Sequence, residues 1–207
     1  MKRFALLLAM LLLASCTSPA PEQTEIVDVY ATSAAGPWLS ELYDCANAAS
    51  IILNVTPDSP DILLRVGEPR GPSSPAFQID SEEILVVVHR VSPLQNLSLA
   101  QAQALFSGQG DPSLQIWVYA EGEDVQDIFE GAVMQSRNIV SSARVAATPQ
   151  HMSDLLNAEI HAVGILPRHW KMGDTREVFS AGKFPVLAIT QSEPQGVIQP
   201  LIACLQK

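Results

Sequence analysis

Two adjacent hydroxyl residues, Thr32 and Ser33, stand in a loop of small residues where the sequence predicts that a strand ends and a helix begins. Residues 25–31 have the Ile, Val and Tyr content of a strand, and Pro37 suits the first turn of a helix. Open α/β sheets bind their ligands at the carboxyl ends of strands. Thr32, Ser33 and Ala34 are therefore candidate ligand-binding residues, although a plain helix N-terminal cap would use the same residue types.

A second polar loop, Glu121-Gly122-Glu123-Asp124, precedes a segment whose apolar residues follow a regular helical stripe. Carboxylates at the start of a helix complement the positive end of its dipole, and they would repel an anion. These carboxylates could face a bound cation or form an acidic cap in solvent.

Other residue types that could support catalysis or metal binding lack the required spacing. The four histidines show no metal-ligand pattern, and no serine lies in a Gly-x-Ser-x-Gly nucleophile turn. We therefore expect no enzymatic activity, no metal site and no cofactor. Arg65, Arg70 and Arg90 could each bind an anion through paired hydrogen bonds, or be ordinary surface residues.

The body of the chain contains two cysteines, Cys45 and Cys204, each on the apolar stripe of a predicted helix. An even number of cysteines in an oxidising compartment favours a disulfide. We predict a Cys45–Cys204 bridge, which would return the C-terminus to the start of the fold. Two buried free thiols are the alternative.

The N-terminus has the order of an export signal, with two basic residues and then an apolar run too short to span a bilayer. Leu13-Ala14-Ser15-Cys16 resembles the lipobox of bacterial lipoproteins. The resemblance implies a signal peptide over 1–15, acylation of Cys16 by chains such as palmitate, and a flexible tether over 16–24. We expect lipid anchoring on the extracytoplasmic face of a bacterial membrane. The alternative is an ordinary secretory signal in which Cys16 is incidental.

The composition is acidic, with 22 Asp and Glu residues against 12 Lys and Arg residues and a formal net charge of −10. Such a charge argues against nucleic acid or an anionic membrane surface as the partner. The length of 207 residues allows one core or two small lobes, and we expect a monomer.

Strand patterns alternate with helix patterns along the chain, which predicts an α/β fold with a largely parallel sheet. After residue 50, strands are predicted over 51–55, 61–66, 84–89, 115–120, 160–166 and 186–190. Helices are predicted over 37–49, 98–108 with a capping box at its start, 124–135, from 148 onward, and 197–205. The order fits two lobes, formed by 25–89 with 177–207 and by 90–176.

Three segments of the chain form a recognisable series: an apolar strand followed by Val91-Ser92-Pro93-Leu94, the motif Leu105-Phe106-Ser107-Gly108, and Ala162-Val163-Gly164-Ile165-Leu166-Pro167. These segments resemble the phosphate-type periplasmic solute-binding proteins of ABC importers. The resemblance implies a type 2 periplasmic-binding-protein fold with crossover strands between two lobes. It also implies capture of a small polar ligand between the lobes and delivery to an ABC permease.

One departure from that family bears on the ligand. Where phosphate-binding members have a Gly-Ser-Gly-Thr-like loop, this chain has Glu121-Gly122-Glu123-Asp124. The resemblance assigns Glu121 and Gly122 to the ligand site with Thr32 and Ser33, but the added carboxylates predict that phosphate does not bind. The leading hypothesis is a solute-binding lipoprotein for another polar ligand. The alternative is a degenerate member that serves as an interaction or scaffold module without a small ligand.

Overall fold

The computed structural model describes residues 25–69, 71 and 74–207. The predicted signal peptide, the lipidation site Cys16, the tether and Arg70 lie outside these residues. The described strands form one eight-stranded sheet. They are β1 (Ile26–Ala31), β2 (Ile52–Val55), β3 (Ile62–Val66), β4 (Ala76–His89), β5 (Gln115–Val118), β6 (Arg144–Val145), β7 (Ala162–Pro167) and β8 (Thr175–Thr190).

The strand order is β2-β1-β3-β8-β4-β7-β5-β6. Pairing is parallel at both ends of the sheet, where β1 pairs with β2 and β3 and where β5 pairs with β6 and β7. It is antiparallel in the centre, where β8 pairs with β3 and β4 and where β4 pairs with β7. The predicted α/β fold, with a largely parallel sheet and crossover strands, is confirmed.

The two central strands are much longer than the sequence pattern predicts. β4 begins at Ala76 rather than near residue 84, and β8 begins at Thr175 rather than near residue 186. The added part of β4 is polar, because Asp80, Glu82 and Glu83 interrupt the apolar pattern that marks a buried strand. This polar segment is nevertheless a strand, because it pairs with β8.

β4 and β8 connect the two ends of the sheet. Ile84–Val88 of β4 pairs with β7, whereas Val186–Thr190 of β8 pairs with β3. We call β1, β2 and β3 with their helices the first half, and β5, β6 and β7 with theirs the second half. The predicted lobe boundaries at 89/90 and 176/177 stay a prediction.

The described residues contain five α-helices. They are α1 (Gly36–Ala48), α2 (Leu99–Ala104), α3 (Asp124–Phe129), α4 (Pro149–Ala158) and α5 (Ile198–Leu205). α1 and α5 belong to the first half, and α3 and α4 contact β7 of the second half. α2 and α3 continue as π-helical turns over Leu105–Gln109 and Glu130–Met134. None of the helices in the described part of the chain is long and apolar enough to cross a membrane.

Side-chain caps begin two of the helices where the sequence predicts them. Ser98 and Gln101 form the capping box of α2, with the Gln101 side chain 2.8 Å from the Ser98 N–H. Thr148 accepts a hydrogen bond from the His151 N–H at 3.1 Å, and Pro149 is the first residue of α4. Each cap satisfies backbone donors that the helix itself leaves free.

Cys45 on α1 and Cys204 on α5 form a disulfide, as predicted, with their Cα atoms 5.9 Å apart. The bond ties the C-terminal helix to the first helix of the fold across 159 positions of sequence. The alternative of two buried free thiols is therefore excluded. The first and the last described elements, β1 and α5, accordingly both belong to the first half.

Candidate functional site

The predicted hydroxyl loop lies between the end of β1 and the start of α1. The Thr32 N–H donates to the Leu64 carbonyl at 3.0 Å, which extends the pairing with β3 by one residue. The Thr32 carbonyl in turn accepts from the Ala35 N–H at 3.0 Å and closes a tight turn into α1. The loop backbone is therefore fixed, and the Thr32 and Ser33 side chains lie between the two halves.

The Asp124 carboxylate, at the start of α3, is the partner of Thr32. The Thr32 hydroxyl donates to Asp124 Oδ2 at 2.6 Å, and the Val66 N–H at the end of β3 donates to the same oxygen at 3.0 Å. The other oxygen, Oδ1, accepts from the Val125 N–H at 2.9 Å. Asp124 is only 2% exposed, so a charged group is buried and supplied with donors from both halves.

A second hydroxyl–carboxylate pair lies beside the first. The Ser33 hydroxyl donates to Glu123 Oε2 at 3.0 Å in a partly buried position. The backbone is close here as well, since a Cβ atom placed on Gly67 would lie 2.8 Å from the Ile128 side chain of α3. The two halves are therefore in direct contact at the predicted ligand site.

The four residues of the acidic loop divide into two pairs. Glu123 and Asp124 contact the hydroxyl loop, whereas Glu121 and Gly122 are exposed to solvent. Gly122 has a φ of +88°, a left-handed conformation that glycine adopts without strain and that turns the chain into α3. The ligand-binding role of Glu121 and Gly122 stays a prediction, and the same holds for Thr32, Ser33 and Ala34.

Tyr119, just beyond β5, adds a functional group that the sequence did not indicate. The residue is 3% exposed, and its hydroxyl has no hydrogen-bond partner among the described residues. Burial raises the pKa of Tyr119 well above its usual value, and the negative charges of Asp124 and Glu123 raise it further. A buried hydroxyl with free hydrogen-bonding capacity thus lies near the carboxylates that join the halves.

Ala34 takes part in another contact between the halves. Its carbonyl accepts from the Trp170 indole N–H at 3.2 Å, and the same indole ring lies over Gly36 at the start of α1. Trp170 follows β7 and therefore belongs to the second half. Ala34 contributes backbone rather than a side chain, since it is fully buried.

Glu82, in the centre of β4, organises a second polar cluster that no sequence pattern indicates. Its carboxylate is 1% exposed and accepts from the Arg168 N–H at 3.1 Å and from its neighbour Glu83 N–H at 2.7 Å. His169 Nδ1 lies 2.8 Å from the same carboxylate, and the His169 ring packs against Trp38 with centroids 4.6 Å apart. The cluster joins α1 to the crossover strand and to the turn after β7.

The adjacent carboxylate, Glu83, forms an ion pair with the Arg168 guanidinium at 2.8 Å. Hydrogen bonds from Arg168 and then Ser180 hold the pKa of Glu83 below its usual value. The two polar clusters differ in charge. In the Glu82–Glu83 cluster the carboxylates lie beside the positively charged Arg168, whereas in the Thr32–Asp124 cluster the carboxylates accept only from neutral donors.

The remaining sequence candidates lie elsewhere. Arg90 is exposed and reaches Asp174 at 3.8 Å, and Arg65 has a buried Nε atom with no hydrogen-bond partner among the residues that the structure describes. Within the described residues, no group of three or more His, Cys, Asp or Glu side chains could hold a metal ion. A surface cavity of about 300 Å³, lined by Gln103 and Arg137 among others, lies away from the hydroxyl loop.

Solved structures share this arrangement of strands and helices. The chain superposes with a TM-score of 0.78 on a phosphate ABC transporter substrate-binding protein with bound phosphate from Clostridium perfringens, at 12% identity over 87% of this chain and 93% of that one. For an ABC-type phosphate transport receptor from Vibrio cholerae the TM-score is 0.68 at 14% identity, with the same shares covered. The chain has the type 2 periplasmic-binding-protein fold.

This fold also occurs outside transport proteins. The regulatory domain of CcmR from Synechocystis PCC6803, in complex with 2-PG, superposes with a TM-score of 0.68 at 11% identity over 88% of this chain and 96% of that one. The sequence matches no family model and no curated relative. At such identities the similarity establishes the fold alone.

Proposed function

We propose that the protein is a lipid-anchored extracytoplasmic interaction or scaffold module, whose binding-protein fold is held closed by its own side chains rather than by a captured ligand. The supporting observation is the pair of hydrogen bonds from Thr32 to Asp124 and from Ser33 to Glu123. These bonds join the two halves where the ligand was expected. The hydroxyls that could hold a small anion are therefore satisfied within the chain.

Electrostatics opposes phosphate capture at this contact. A dianion about 4 Å from the Asp124 carboxylate would meet a repulsion of about 8 kcal/mol at an effective dielectric constant near 20. A hydrogen bond to a charged group contributes about 1.5 to 3 kcal/mol, so two or three donors would at most offset that single repulsion. Glu123 adds a further negative charge beside the same hydroxyl loop.

The proposal includes a membrane location. The lipobox-like residues 13–16 support acylation of Cys16 and a short tether that keeps the body at the extracytoplasmic membrane surface. A protein partner in the cell envelope, such as a permease, would then meet the closed form without a ligand. The acidic composition argues against nucleic acid, and we propose neither an enzyme nor an obligate oligomer.

Solute capture for an ABC importer is the second candidate function. The free hydroxyl of buried Tyr119 favours it, because a polar ligand could supply the missing partner. The carboxylates of Glu123 and Asp124 restrict such a ligand to a neutral or cationic molecule. Binding would require the two halves to separate and to exchange their direct contacts for contacts with the ligand.

Calorimetry with inorganic phosphate and a thermal-shift panel of anions, sugars, amino acids and cations would decide between these functions. We expect no saturable heat from phosphate and no ligand-dependent stabilisation across the panel, with the Clostridium perfringens protein as a positive control for phosphate. Saturable stabilisation by a neutral or cationic compound, about 2.7 kcal/mol at a hundredfold excess over Kd, would establish the second function. Saturable phosphate binding by the native chain would overturn the first.

The membrane location has its own test. Mass spectrometry of the membrane fraction should find acyl chains on Cys16, and the Cys16→Ser variant should lose both the added mass and the membrane association. Retention of the Cys16→Ser variant in the membrane fraction would contradict the lipid anchor.

A further inference from the structure

Two isoleucines lie side by side on the surface of the first half. Ile26 begins β1 and Ile52 begins β2, and the register of the two strands pairs these residues with each other. The residues are 65% and 52% exposed. Paired residues of adjacent strands point to the same face of a sheet, so the two side chains form one apolar patch. We call it the Ile26–Ile52 patch.

The patch has a polar boundary on its own face of the sheet and the hydrophobic core on the other face. Val27 and Val29, which alternate with Ile26 along β1, are buried in the core. The next pair on the face of the patch is Asp28 and Asn54, and the Asn54 amide donates to the Asp28 carboxylate at 2.7 Å. No described helix covers the two isoleucines, since more than half of each residue is exposed. The patch is therefore a small apolar surface available to a partner.

The chain that precedes β1 indicates what this partner is. Ile26 lies about ten positions after Cys16, the predicted lipidation site, and that length of chain spans at most about 36 Å. An acylated Cys16 would therefore keep the patch within this distance of the bilayer surface. Residues 17–24 are Thr, Ser, Pro, Ala, Glu and Gln only, so they supply no large apolar side chain that could cover the patch.

We propose that the Ile26–Ile52 patch docks on the bilayer, with both isoleucine side chains at the boundary between the headgroups and the acyl chains of zwitterionic lipids. The inference rests on the acylation of Cys16 in the proposed function. The anchor holds the body at a high effective concentration beside the lipid, so a patch too small to bind a bilayer from solution stays docked. Glu25 and Asp28 are acidic and close to Ile26 in the sequence, which favours zwitterionic over anionic lipid.

Docking through this patch sets the orientation of the body on the membrane. Ile26 is at the amino end of β1, whereas Thr32 follows the carboxyl end of the same strand. At about 3.3 Å per residue, these two residues lie about 20 Å apart. The contact of Thr32 with Asp124 therefore stays clear of the lipid, where a protein partner in the cell envelope could meet it.

The experiment uses the full, acylated chain in vesicles of phosphatidylcholine and phosphatidylethanolamine, some of whose acyl chains carry bromine and quench fluorescence on contact. A fluorophore is attached at Asn54→Cys, which lies on the face of the patch and keeps both isoleucines. Val145→Cys is the matched control, because Val145 is 56% exposed on β6, at the other end of the sheet. We expect the brominated lipid to remove at least about half of the fluorescence at position 54, and little at position 145.

The same label in the Ile26→Thr/Ile52→Thr background tests whether the patch causes the contact. Threonine keeps the β-branched shape that strands favour, so the native circular dichroism spectrum should be retained. We expect this variant to stay in the vesicle fraction through Cys16 and to lose the quenching at position 54. Quenching that survives the double substitution would overturn the inference, and so would equal quenching of the labels at positions 54 and 145.

The experiment also separates the docking from the lipid anchor. A native chain that floats with the vesicles but shows no quenching at position 54 would overturn the docking alone. The vesicles contain no other protein, so that result would leave a protein, rather than lipid, as the occupant of the patch. A native chain that does not float with the vesicles would contradict the anchor, and this inference with it.

Discussion

Thr32 is the residue whose hydroxyl supports the buried charge of Asp124, through a hydrogen bond of 2.6 Å. Thr32→Val keeps the shape of the side chain but leaves the carboxylate without this donor. We expect a loss of about 1.5 to 3 kcal/mol in the free energy of unfolding, measured by urea denaturation. Thr32→Ser keeps the hydroxyl and should lose less than about 1 kcal/mol. Equal losses in both variants would show that the methyl group, rather than the hydrogen bond, stabilises the contact.

Tyr119 should make the protein sensitive to alkaline pH. Its pKa is raised in the folded state by burial and by two nearby carboxylates, so above about pH 10 the unfolded chain releases a proton that the folded chain keeps. The stability associated with this group is complete below that pH and falls as the pH rises. Tyr119→Phe removes the effect and should also gain about 1 kcal/mol at neutral pH, because an unpartnered hydroxyl disappears.

Urea denaturation of the native chain and Tyr119→Phe, from about pH 8 to about pH 11, measures the difference. The advantage of the variant should grow over the upper part of this range. Tyr43→Phe, at a residue that is 40% exposed, is the control and should change little. A constant difference between the native chain and Tyr119→Phe at every pH would show that Tyr119 is not buried near the carboxylates.

Among the elements, the π-helical turn after α2 depends on Gly108. The residue has a φ of +80°, and a Cβ atom there would lie 2.8 Å from the Val140 side chain. Gly122 has a similar φ of +88° but open space around it. We expect Gly122→Ala to cost about 1 to 2 kcal/mol for its backbone conformation, and Gly108→Ala about 1 to 3 kcal/mol more for the steric contact. Thermal or urea denaturation of both variants checks this.

The Val140→Ala background separates the two causes of that loss. With the larger side chain removed, the excess cost of Gly108→Ala over Gly122→Ala should shrink to below about 1 kcal/mol. An excess that persists unchanged in this background would show that contact with the Cγ atoms of Val140 is not its cause.

Most elements could be predicted from the sequence because their signals are local. The capping box at Ser98 and the Thr148–Pro149 start each involve residues within one helical turn, and the apolar run from Ile84 is typical of a buried strand. The early parts of β4 and β8 could not be predicted in this way. Their polar residues form strands only because the two segments pair with each other, about a hundred residues apart in sequence.

The same distinction applies to the candidate site. Thr32 and the acidic loop were recognised from their residue types, but their hydrogen bonds join residues separated by about ninety positions. Such contacts depend on how α1, α3 and the end of β3 approach one another in the fold. A local sequence pattern contains no information on that approach. The disulfide was predictable for a different reason, because only Cys45 and Cys204 were available in the body of the chain.

The disulfide constrains the whole molecule, since it closes a loop of 159 positions between α1 and α5. In the chain-entropy model such a loop restricts the unfolded state by about 4 to 5 kcal/mol. We expect the Cys45→Ala/Cys204→Ala variant to be less stable than the oxidised native chain by an amount approaching this, in urea denaturation. Reductant should destabilise the native chain to a similar extent and leave the double variant unchanged. A response of the double variant to reductant would contradict this explanation.

The two halves should unfold together. β4 and β8 pair continuously from Ala76↔Ile189 to His89↔Thr175, apart from three register shifts, so both halves share the same pair of strands. Unfolding of either half would remove the strands that pair with β4 or β8, and it would expose apolar surface of the half that remained folded. We therefore expect a single transition in urea, with circular dichroism and tryptophan fluorescence giving the same midpoint.

Trp38 reports on the first half and Trp117 on the second, so Trp38→Phe and Trp117→Phe each shift the fluorescence signal toward the opposite half. Within each variant the two probes should still coincide. Separate midpoints would show that the halves are independent folding units, and that hydrogen bonds such as Thr32–Asp124 join domains that fold on their own.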